Sequence, residues 1–151
     1  MKTDDLIAID IHTHAEVSCR NPFDNYGEEY DRAADKYFGS DRRPTIDETV
    51  AYYRERKMAA VVFTVNTETA LGHNPISSVE IAEGASRNND VLIPFGSVDP
   101  LQPKKAVESA KKLIGDAGVK GFKFHPTVQN FAPNDESVFP IYEVQIGRAH
   151  V

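Results

Sequence analysis

The chain has no tryptophan, two methionines and a single cysteine, Cys19, among 151 residues. One cysteine excludes an internal disulfide framework, and the start carries no signal-like segment, so a reducing cytoplasm is the expected compartment. Cys19 is given no role. No apolar run approaches the roughly 20 residues of a membrane span. A basic excess is also lacking: the net charge is −6. That balance argues against nucleic acid or an anionic membrane surface as the main partner. What remains is an ordinary globular composition, 40% hydrophobic and 26% charged, at about the length of one domain.

The first apolar segment is "LIAIDIHTHAEV", residues 6 to 17. It reads as a strand. Alternate strand residues point to one face, so Asp10, His12 and His14 are expected to share a side. The two histidines then stand roughly 6.6 Å apart along the backbone, at about 3.3 Å per residue. Nitrogens so placed can converge on one metal ion, which needs further ligands from elsewhere.

A long polar stretch follows, Ala15 to Pro44, with a short helix expected near Glu28 to Phe38. Loops this long are usually functional covers or disordered. Its aromatic residues Tyr26, Tyr30, Tyr37 and Phe38 suit a cover over a site. Thr45 and Glu48 form a capping-box pattern, predicting a helix to about Lys57. "AAVVFTVN", Ala59 to Asn66, reads as a strand buried on both faces. Ser77 and Glu80 repeat the capping pattern, opening a helix with Val79, Ala82 and Ser86 on one stripe. "VLIPFGSVDP" is the third strand. Pro103 suits a helix start, and Ala106, Val107, Ala110, Leu113 and Ile114 form its apolar face, ended by Gly115 and Gly118. "VKGFKFHP" is the fourth strand, and a helix is expected to begin at "VFPIYEVQ".

Strict alternation of strand and helix implies parallel strands with right-handed crossovers. No Gly-rich phosphate loop follows the first strand, so a dinucleotide site is excluded. Polar residues gather at strand ends, where parallel α/β folds build their sites. Lys123 and His125 share a face by the period of two, with Phe122 and Phe124 turned to the other. Lys123 would be a buried cation in need of a partner, and Asp10 is one candidate. His125 could serve as metal ligand, general acid/base, substrate contact or simply a satisfied interior residue. Asp99 reads as a turn residue, His73 as a surface loop residue, and Arg42 and Arg43 as solvated charges, although an arginine fork also suits a carboxylate.

Ile146 to Val151, "IGRAHV", match the translation of ATC GGA AGA GCA CAC GTC, the start of a widely used sequencing adapter. Residues 146–151 are therefore expected to be foreign to the natural protein, and His150 carries no functional weight.

"AIDIHTHAE", "IPFGSVDP" and "GVKGFKFHPTVQNFAPND" together resemble the amidohydrolase superfamily. The resemblance is strongest to the branch containing aminocarboxymuconate semialdehyde decarboxylase and related aromatic-acid decarboxylases and hydrolases. It implies a (β/α)8 TIM barrel, an α/β fold of which residues 1–145 hold the N-terminal half, four parallel strands alternating with helices. It also implies a divalent metal, zinc first and manganese as the alternative, with His12 and His14 as its first-strand ligands. The family's remaining ligands come from later strands, beyond the four counted here. His125 matches a motif histidine of the fourth strand and is the candidate proton-transfer group.

The expected activity is metal-dependent hydrolysis or decarboxylation of a small carboxylated substrate, aromatic or acyl. A half barrel is expected to hold metal weakly and to be inactive alone, and its two unpaired edges invite pairing with another copy as a homo-oligomer. Three rival readings are a metal-dependent nuclease on the same barrel, a non-catalytic, partly folded fragment, and an interaction protein whose histidines serve no site.

Overall fold

The computed structural model describes residues 1–20, 32–33, 35–37, 39, 43–72 and 76–146. After a 3-10 turn at Thr3–Asp5, the elements are β1 (Ala8–His14), α1 (Ile46–Glu55), β2 (Met58–Phe63), α2 (Glu68–Leu71), α3 (Ser78–Arg87), β3 (Leu92–Gly96), α4 (Pro103–Gly115), β4 (Gly121–Phe122), a second 3-10 turn at Glu136–Val138 and α5 (Phe139–Ile146). The four strands form one parallel sheet in the order β1-β2-β3-β4. The parallel order is the one the alternation predicts, and the sheet is the N-terminal half of a TIM barrel that the resemblance implies. Gly147 to Val151 lie outside the described residues, as do His73, Arg42, Tyr26, Tyr30 and Phe38. The helix expected over Glu28 to Phe38 falls mostly outside them too. Tyr37 is exposed.

Two apolar clusters hold the helices on one side of the sheet. Ile46, Val50 and Tyr53 of α1 meet Ala60, Val62, Leu92, and Ile81 and Ala85 of α3. Ala106, Ala110 and Leu113 of α4 meet Val98, Phe122 and Ile141, with Phe124 packed alongside. The expected orientation of Phe122 and Phe124 toward the helices is therefore observed. The α4 face is also as expected, with Val107 and Ile114 partly buried at its margin.

Helix α1 begins on a complete capping box: Thr45 Oγ1 accepts the Glu48 N–H, and the Glu48 carboxylate accepts the Thr45 N–H. Helix α3 has only half of one. Ser77 accepts the Glu80 N–H, but the Glu80 carboxylate turns away to bind Ser18 Oγ at 2.7 Å and the Cys19 N–H at 2.8 Å. The stripe expected on α3 is also displaced. Val79 is exposed, and Ile81, Ala82 and Ala85 face the interior. The reason is that α3 packs on β2 and β3 through its 81/85 edge, about a third of a turn from the expected stripe, of which only Ala82 is buried.

β4 is shorter than its sequence suggests because its ladder is intermittent. Lys120 and Lys123 donate to Pro94 and Gly96 on either side of the two formal strand residues.

Candidate functional site

The C-terminal ends of β1 and β4 bring three sequence-selected residues together. His12 Nε2 lies 3.3 Å from His14 Nε2. Lys123 Nζ lies 3.4 Å from His12 Nε2. All three surround Phe63, whose ring is edge-on to both imidazoles at 5.3 and 4.9 Å and lies 5.0 Å from the Lys123 ammonium. Phe63 is itself buried, so it forms an apolar floor.

Asp10 does not join them, and this corrects the shared face expected from strict alternation. In the β1–β2 register Asp10 pairs with Ala60 but Thr13 pairs with Val62. Ile11 and His12 together thus oppose Val61, which is a β-bulge. Paired residues share a face. Asp10 and Thr13 consequently face the helices with Ala60 and Val62, and His14 goes with Phe63 to the other side. The bulge turns His12 to that side as well. Asp10 is therefore no partner for Lys123. Its Oδ1 accepts the His12 N–H at 2.9 Å and its Oδ2 accepts the Tyr53 hydroxyl at 2.7 Å. Those two bonds hold its carboxyl below the usual carboxylate value.

Burial pushes the His14 imidazole down to about 4, helped by the neighbouring charges of His12, Lys123 and His125. The ring is therefore neutral at neutral pH. Its Nδ1 is 3.8 Å from Glu16. Glu16 in turn lies 3.7 Å from Arg43, which also approaches Asp35 at 3.9 Å. Arg43 is thus a partly buried, paired side chain, not the solvated charge expected.

His125 is close enough to act electrostatically on His14. Its Nδ1 accepts the Val128 N–H at 3.3 Å. With Nδ1 accepting, the ring's N–H is on Nε2.

The remaining strand ends are tied by polar residues that sequence reasoning missed. Ser97 Oγ accepts the Asn66 N–H and donates to the Lys123 carbonyl. Gln129 is buried, donates from Nε2 to the carbonyls of Asn66 and Val98, and accepts the His125 N–H. Neither has a periodic signature, and the one sequence signal is a position just past a strand end. Asp99 is a turn residue as expected: it accepts from the Leu101 N–H, and from Thr69 and Gln102.

The spacing of the two imidazole nitrogens suits a metal ion. Two nitrogens bound tetrahedrally at about 2.0–2.1 Å sit about 3.3 Å apart. The two Nε2 atoms of the free pair show that separation, 3.3 Å. They fit two positions of such a site. Among the described residues no group of three His, Cys, Asp or Glu could complete it.

The fold matches solved structures of 5-carboxyvanillate decarboxylase from Novosphingobium aromaticivorans. One, in complex with manganese and 4-hydroxy-3-methoxy-5-nitrobenzoic acid, has a TM-score of 0.67 at 12% identity, covering 97% of this chain and 49% of that one. A mutant of the same enzyme, with manganese and the same nitrobenzoic acid, matches with a TM-score of 0.58 at 11% identity, covering 97% and 50%. The chain spans about half the length of these proteins. No curated protein matches it. Among the described residues no helix is long and apolar enough to cross a membrane. The amidohydrolase family profile matches residues 9–146, the whole of the described half-barrel. By that match the chain belongs to the amidohydrolase family.

Proposed function

We propose that this chain forms the N-terminal half of a metal-dependent decarboxylase acting on a small carboxylated aromatic substrate. The observation that carries the reading is the convergence of two imidazole nitrogens beside a lone ammonium. His12 and His14 would hold a divalent ion, zinc or manganese, both of which accept imidazole. Such an ion, when bound, supplies charge stabilisation to a substrate oxygen. The fold neighbours, which carry manganese and a nitrobenzoic acid, support manganese and an aromatic acid over the zinc expected from the sequence.

Each residue of the cluster has a task in this reading. Lys123 has no carboxylate within ion-pair distance among the described residues, and its ammonium suits the carboxylate of a substrate. Phe63 offers an apolar face to an aromatic ring. His125 carries its proton on Nε2, as its bond from Val128 requires, and would deliver it to the ring carbon. The carbon–carboxylate bond breaks, carbon dioxide leaves, and the electron pair left on the ring carbon takes that proton.

Hydrolysis by the same cluster is the second reading, favoured by the family match. The soluble composition and single cysteine fit a cytoplasmic setting. The test uses the chain together with the gene's continuation, loaded with manganese or zinc. Ortho-carboxylated phenols are assayed for carbon dioxide release, and aromatic esters and amides for hydrolysis. Release of carbon dioxide that is lost in His12→Ala and in His14→Ala is the expected result. Hydrolysis without carbon dioxide release supports the second reading. Neither activity in the metal-loaded protein overturns both.

A further inference from the structure

We infer that Tyr53 is a positioning residue for the imidazole pair, acting through Asp10 and Thr13 to hold the β1 bulge that sets His12 and His14 on the Phe63 side of the sheet while Asp10 stays on the helix side. The inference rests on the metal site proposed above for its functional meaning, but its geometry stands alone.

A bulge takes a residue out of the ladder and leaves backbone groups to be satisfied elsewhere. Here the His12 N–H finds Asp10 Oδ1 at 2.9 Å. The other oxygen of that carboxylate accepts the Tyr53 hydroxyl at 2.7 Å, and the same hydroxyl is 3.1 Å from Thr13 Oγ1. One phenol therefore touches the residue before the bulge and the residue after it. It can do so only while Ile11 and His12 stay looped out between them. With the bulge flattened, Asp10 and Thr13 would point to opposite faces and one hydroxyl could not reach both.

The grip is set on a firm base. The Tyr53 ring is buried in the α1 core cluster, and α1 is fixed by its capping box. On the site side His12 meets the Phe63 ring and, at 3.4 Å, the Lys123 ammonium. On the helix side the bulge is held through a residue about forty positions away in sequence.

Tyr53→Phe removes the hydroxyl and keeps the ring. The metal-free chain is followed by amide exchange at His12 and by the His12–Phe63 inter-ring Overhauser effect, and metal affinity is measured by calorimetry with manganese or zinc chloride. The expected result is His12 exchange at least tenfold faster, a weakened inter-ring effect, and a metal dissociation constant raised tenfold or more, the usual range for losing an orienting partner. Tyr52→Phe, on the exposed side of the same helix, changes none of these. Should Tyr53→Phe fail to fold, Thr13→Val removes one arm of the grip and is read in the same way.

Unchanged His12 exchange and inter-ring effect in the folded variant overturn the inference. So does faster exchange with metal affinity intact. If the unaltered chain binds neither metal, the imidazole pair does not hold one by itself, and the two metal-free measurements still decide the role of Tyr53.

Discussion

The Oε1 of Gln129 accepts the backbone N–H of His125 at 2.8 Å, while its Nε2 donates to carbonyls that follow β2 and β3. One buried amide thus joins three strand ends around the site. Backbone groups that leave the ladder in a buried place must find partners or cost about 1–3 kcal/mol each. Gln129→Leu keeps much of the volume and orphans three such groups. It is expected to lower stability by about 2–4 kcal/mol, some of the gross loss being recovered by water and relaxation. Urea unfolding measures this, and a loss below 0.5 kcal/mol would show that the strand ends satisfy one another without it.

Glu80 fastens the segment after β1 to α3. Its carboxylate is buried and receives the Ser18 hydroxyl and the Cys19 N–H. Glu80→Ala removes the acceptor of the Ser18 hydroxyl and of the Cys19 N–H, for an expected loss of about 1–3 kcal/mol. Glu80→Gln keeps one acceptor oxygen and is expected to cost less. The two variants compared in one denaturation series separate this tie from helix capping, because Ser77 still accepts the residue-80 N–H in both.

The order of elements was legible in the sequence because a parallel α/β unit leaves strong marks. β2 shows as an unbroken apolar run, α4 as a 3.6-residue stripe, and α1 as a capping box. The convergence of His12 and His14 was legible as well, since they stand two apart. Asp10 was not, because a bulge leaves no periodic trace: its cause, Tyr53, lies on another element. Glu80 was misread for a related reason. A capping-box pattern states that a carboxylate can fold back on Ser77, and not that a better partner, Ser18, will arrive from β1's loop. Arg43, Ser97 and Gln129 likewise depend on partners that only the fold brings near.

Gly84 lies in α3 where the helix crosses α1. A Cβ there would stand 2.8 Å from Ile46 Cγ2 and 3.1 Å from its Cδ1. Two effects oppose each other in Gly84→Ala. Helix propensity favours alanine by about 1 kcal/mol. Overpacking a buried contact costs about 1–3 kcal/mol, and the buried, β-branched Ile46 has little room to give. The clash should win, with a net loss of about 1 kcal/mol. The double variant Gly84→Ala with Ile46→Val removes the Cδ1 contact and should recover part of that loss. Thermal unfolding of the single and double variants checks the sign, and a stabilised single variant would mean that the helices separate freely.

His14 should make stability depend on pH in a defined window. Its folded imidazole sits at about 4, against an ordinary value of 6.5. Above 6.5 both folded and unfolded forms are neutral, and this group adds no slope. As pH falls from 6.5 to about 4 the unfolded chain takes up a proton that the folded one refuses, so stability falls. Asp10, held below its ordinary 3.8 first by the His12 N–H and then by Tyr53, adds its own loss only at still lower pH. The two contributions therefore separate. A third of the His14 side chain meets solvent, so its share is expected at about 1–2 kcal/mol, below the full value of such a shift. His14→Asn removes the titrating group. Between about pH 7.5 and about pH 4.5 the unaltered chain should lose that much more stability than the variant. Equal losses in the two would mean that the ring protonates freely in place, and would take away the neutral donor on which the metal site depends.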